Sequence, residues 1–142
     1  MKLTFFHILF FVTVASSVRA AESTNRTSEV IQFGIEHSTL IVAGKFGPTV
    51  MGGGGATSGV EIEEVIKAPQ NFQTPKPLVV YWLSAKSDGV REFPMTNSYL
   101  FFLRPASTNA DAGYQDVTDK AHPLIQASAT NLFYVKSRVG KK

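Results

Sequence analysis

Residues 39–67 read TLIVAGKFGPTVMGGGGATSGVEIEEVIK, and this stretch decides the fold class. Its opening, Thr39 to Phe46, is rich in β-branched side chains, the composition of a pleated strand. Gly47-Pro48 is expected to stop that strand, because proline has no amide hydrogen to give a ladder. Four consecutive glycines, Gly52 to Gly55, then form a segment too costly in backbone entropy to order by itself. From Val60 to Lys67 strand character resumes. Val60 and Ile62 alternate with Glu61 and Glu63, and the apolar phase slips by one at Val65. A slip of one residue inside a strand is what a β-bulge produces, and bulges bend sheets toward closure. The stretch therefore predicts a curved hairpin with a glycine-rich tip.

Upstream, Val30, Ile31 and Phe33 approximate helical spacing behind Ser28 as an N-cap, which predicts a short helix over 28–37 with Gly34 as its weak point. Downstream, Ala68 to Pro77 is a loop carrying three prolines. Leu78 to Leu83 and Tyr99 to Leu103 are apolar on both faces, as buried strands are. Between them lies a polar connection with an Asp88-Gly89 turn signal and Phe93 as its anchor. Arg104-Pro105 ends the second apolar run, Tyr114 to Thr118 suggests a short strand, and Leu132 to Val135 reads as the last strand. Strands buried on both sides suit a small closed barrel of five or six strands, because an open sheet would expose large apolar patches.

The chain ends carry separate signals. Lys2, the apolar run Leu3 to Val18 and the Val18-Arg19-Ala20 junction have the three-part form of a cleavable export signal over residues 1–20. The run is shorter than the roughly 20 residues a bilayer crossing needs, so no stable membrane insertion is expected after cleavage. With no cysteine in the chain, a lipid-anchored lipoprotein is not expected either. The reading is of a secreted or periplasmic protein. It divides into a disordered segment over 21–27, a β-barrel domain over 28–137 and a basic tail over 138–142. Removing the signal leaves 12 basic and 11 acidic residues, so the chain gives no support for nucleic-acid binding. The charge is uneven, since all five charged residues from Lys120 onward are basic. Lys136, Arg138, Lys141 and Lys142 are therefore candidates for contact with an anionic surface. Asn25-Arg26-Thr27 fits a glycosylation sequon, which matters only in a eukaryotic secretory pathway.

Three strand patterns stand together: Ser38 to Lys45 (STLIVAGK), Val60 to Lys67 (VEIEEVIK) and Tyr99 to Pro105 (YLFFLRP). In this order, behind a helix, they resemble a group of exported bacterial proteins with a small OB-fold-like barrel. That barrel is similar to the netrin-like and metalloproteinase-inhibitor module. The resemblance spans roughly residues 28–120 and implies a mainly β, OB-fold-like barrel of five to six strands with one short N-terminal helix. In the inhibitor family an N-terminal cysteine chelates the protease zinc. Here the mature terminus would be Ala21 and no cysteine exists, so the fold is carried over and the inhibitory residues are not.

Motifs for chemistry fail one by one. Gly55-Ala56-Thr57-Ser58-Gly59 puts its serine one place late for a nucleophile elbow, and the glycine run lacks the lysine of a phosphate loop. His37 and His122 stand far apart without ligands at turn or helix spacing, so no metal site is expected. His37 fits a helix end and His122 a loop. Asn109 to Gly113 imitates a calcium loop, with its glycine early and Lys120 where a glutamate belongs. Glu61, Glu63 and Glu64 fit the solvent face of an amphipathic strand better than an acid–base pair. Tyr81 and Trp82, adjacent on one strand, point to opposite faces. One belongs to the core, and the other is the candidate ligand-face aromatic. The expectation is a non-enzymatic module, with no cofactor, that binds a protein or glycan partner. The alternative is an inhibitor of an extracellular protease or another enzyme.

Overall fold

The computed structural model describes residues 26–52, 55–82, 95–107, 113–118 and 124–140. The export signal, Asp88-Gly89, Phe93, the calcium-like stretch 109–112, His122, Lys141 and Lys142 lie outside the described residues.

The chain runs helix α1 (residues 26–37), β1 (Leu40–Gly52), β2 (Gly55–Lys67), β3 (Leu78–Trp82), β4 (Ser98–Pro105), β5 (Tyr114–Asp116), β6 (Ile125–Gln126) and helix α2 (Ala129–Val139). Five strands close in the order β1-β2-β3-β5-β4 and back to β1, while β6 extends the sheet from β4. All pairings are antiparallel except β3 with β5. The expected mainly β, OB-fold-like barrel is what the chain forms. Among the described residues it carries two helices, the expected short N-terminal one and a second at the C-terminal end.

The predicted bulge is present. Gly44 pairs with Ile62 and Ala43 with Glu64, leaving Glu63 as an extra residue on β2. A second shift follows between Ile41 and Val42. The expected stop at Gly47-Pro48 does not occur. Pairing passes from Phe46–Val60 to Thr49–Ser58, so β1 absorbs the proline in an irregularity and runs on to Gly52. A bulge removes the ladder position where proline's missing donor would matter.

Inside the barrel, alternate residues of β1, β2, β3 and β4 meet in one apolar core. Phe46 sits at its centre, with ring centroids 5.1 Å from Phe101, 5.4 Å from Tyr99 and 5.6 Å from Trp82. A second apolar layer lies outside β1 and β4, where Ile41, Ala43, Leu100 and Phe102 meet Val30 and Ile31 of α1, Ile125 of β6 and Val135 of α2. Gly34, which weakens α1 as a helix in isolation, permits this contact. A Cβ there would stand 2.5 Å from Phe102 Cγ. Lys67 closes the C-terminal end of α1 by donating to the carbonyls of Ile35, at 3.0 Å, and Ser38. A cation on the last carbonyls of a helix is favourable by hydrogen bonding and by the helix dipole.

Three further expectations need correction. Leu132 to Val135 is not a strand but the middle of α2, whose N-cap Ser128 accepts from the Asn131 amide. The helix buries Val135, with Leu132 and Val139 beside it in the outer layer. Residues 26 and 27, expected to be disordered, already belong to α1. Also, β3 is buried on one face only. Leu78, Val80 and Trp82 point inward, whereas Val79 is half-buried and Tyr81 exposed.

Candidate functional site

The structure separates the two aromatic candidates. Trp82 is 2% exposed, packed in the barrel against Phe46 and Phe101, so it cannot belong to a ligand face. Tyr81 is 36% exposed on the outside of the same strand. Strand register places Thr57 of β2 on one side of it and Gln115 of β5 on the other. Residues directly opposite across a ladder share a face, so the three form one outward row. Gly113, with φ +70°, makes room for it. A Cβ there would come within 3.0 Å of both Tyr81 Cε2 and the Val79 carbonyl oxygen. Next to this row Arg104 donates to the Gln115 side-chain oxygen at 3.4 Å. The face therefore offers an aromatic ring, a hydroxyl, an amide and a guanidinium, groups that stack and hydrogen-bond. Asp116 fixes the strand that carries Gln115. Its carboxylate accepts from the amides of Phe102, at 3.2 Å, and Thr118, at 2.8 Å.

The basic candidates are already engaged in part. Lys136 lies 2.7 Å from Glu64, and the Arg138 guanidinium sits 5.3 Å from the centre of the Tyr134 ring. Both belong to α2, so Arg138 lies in a helix and not in the expected basic tail. The three glutamates of β2 are likewise divided. Glu63, the bulged residue, pairs with Lys45 at 3.1 Å. The hydrogen bond from Ser98 and then that from Lys45 hold its carboxyl below the usual glutamate range. His37 ends α1 as expected, stacked on Phe33 at 4.1 Å and hydrogen-bonded to the Phe33 carbonyl at 2.9 Å. No group of three metal-ligating side chains gathers among the described residues.

A feature the sequence reading missed is a cleft of about 380 Å³ between β2 and the loop 68–77, lined by Val60, Glu61, Ile62, Thr74, Pro75, Lys76 and Pro77. The loop is built to hold its shape. The Phe72 amide donates to the Pro69 carbonyl at 3.2 Å across a turn in which Asn71 takes φ 66°. Asparagine is among the residues that tolerate this left-handed region best. Phe72 then packs on the barrel core and meets Tyr114 edge-on, centroids 6.5 Å apart. The available signal was a lone phenylalanine centred among three prolines. No protein-family model matches the chain, and no curated protein matches it either.

Proposed function

We propose that the protein is an exported, non-enzymatic binding module that holds a protein or glycan partner on the outer face of β2, β3 and β5. The observation that carries this reading is Tyr81, turned outward between Thr57 and Gln115 on a rigid closed barrel. OB-type barrels bind extended ligands on this side, where ligand groups stack on aromatic rings. Export rests on the three-part signal in residues 1–20, and kinship with netrin-like bacterial proteins rests on the three strand patterns quoted above. An extracellular enzyme is one class of protein partner such a face can hold, which keeps inhibition within the same proposal.

Affinity capture with the tagged chain from residue 21 onward, applied to envelope and culture-medium extract, tests the reading. The folded protein should retain a partner that a heat-unfolded control does not, and Tyr81→Ala should weaken retention by about tenfold or more, as loss of an aromatic anchor does. A partner retained equally by the Tyr81→Ala variant would remove the β2–β3–β5 face from the proposal. No partner above control, in extract or on a glycan array, would remove the binding-module reading.

A further inference from the structure

The cleft beside β2 presents two opposite charges, Glu61 and Lys76, that no described residue pairs with. Lys45, the register partner of Glu61, is turned to Glu63 at 3.1 Å, so it is not the partner of Glu61. Neither Glu61 nor Lys76 makes an ion pair among the described residues, although both line the same cleft. Apart from Thr74, the rest of the lining is apolar: Val60, Ile62, which packs on the barrel core, Pro75 and Pro77. The loop is anchored by Phe72, and proline limits its backbone freedom, so little ordering is left for a ligand to impose. A volume of about 380 Å³ falls in the range of small-molecule sites.

We infer that this cleft binds a small zwitterion of dipeptide size, its ammonium group at Glu61, its carboxylate at Lys76 and its apolar part against Ile62, Pro75 and Pro77. The site is separate from the Tyr81 face. Thr57, opposite Tyr81, and Glu61 are four residues apart on β2, or about 13 Å at the usual strand rise.

The test is a titration of the purified protein with glycyl-leucine, followed by the backbone amide resonances of Glu61, Ile62 and Lys76. Saturable shifts with Kd on the order of 1 mM are expected. Acetylating the dipeptide's amine or amidating its carboxylate should each weaken binding by about tenfold, the effect of one lost charged hydrogen bond. In Glu61→Gln the free and acetylated dipeptides should bind alike, and in Lys76→Gln the free and amidated ones should. Tyr81→Ala should leave the titration unchanged, so failure here and failure of the face proposal are distinguishable. Both substitutions are on the surface, and an unchanged circular dichroism spectrum checks the fold. Absence of saturable shifts, or equal binding of free and capped dipeptides to the unmodified protein, would overturn the inference.

Discussion

β3 and β4 look alike as sequence, each a run of apolar residues with almost no interruption, and they end in different surroundings. β4 sends Tyr99, Phe101 and Leu103 into the barrel, while Leu100 and Phe102 enter the layer beneath α1 and α2. β3 sends Leu78, Val80 and Trp82 inward, and its other face keeps Val79 half-buried and Tyr81 exposed. Hydrophobicity on the second face of a barrel strand becomes core only where a helix lies over it. Where no described helix does, as outside β3, the side chains stay at the surface.

The contrast between the two strands is sharpest at Phe102 and Tyr81. Phe102→Ala empties a fully buried site and should cost about 3–5 kcal/mol, whereas Tyr81→Ala, on the exposed outer face of β3, should cost about 1 kcal/mol. Urea unfolding at unchanged m-value measures both. Equal losses would mean that the outside of β3 is as closed as that of β4.

Gly34→Ala sharpens the same contrast. The added methyl meets the Phe102 ring, which is fully buried and has no room to yield, so a loss of about 1–3 kcal/mol is expected despite alanine's better helix propensity. In a Phe102→Ala background the same change should be neutral or stabilising, and a double-mutant cycle reads the coupling. An equal loss in both backgrounds would place the origin of the effect elsewhere than in that contact.

The smallest effect belongs to Glu63. Its folded-state pKa is depressed, so its contribution is complete above the unfolded value of about 4.3 and is lost as pH falls through the folded value. Its partner Lys45 is half-exposed, which limits the pair to under about 1 kcal/mol. The stability gap between the parent and Glu63→Gln should therefore close as pH drops below about 4.3, in parallel unfolding series. A gap that stays constant down to the acid transition would contradict the Ser98 and Lys45 hydrogen bonds.

Much of the barrel was legible because strand signals are local. The β-branched run at Leu40, the apolar slip at Val65 and the two-sided apolarity of Tyr99 to Leu103 each fit inside one pairing unit. The slip predicted a bulge, and Glu63 is one. α2 was missed because Leu132-Phe133-Tyr134-Val135 is aromatic and apolar in sequence, a strand signature at short range. Its longer stripe of Leu132, Val135 and Val139 is helical. The candidate site was legible to the level of a pair, Tyr81 or Trp82, because alternation requires that neighbours on a strand part ways.

Short-range patterns specify a mainly β chain with a bulged β1–β2 hairpin, since hydrophobic period and turn residues act over a few neighbours. Packing settles which of Tyr81 and Trp82 faces outward, which apolar face α1 and α2 cover, and that Glu61 and Lys76 line one cleft. Those outcomes depend on barrel closure, which brings together residues far apart in the chain, and on register, in which a shift of one residue exchanges inside for outside.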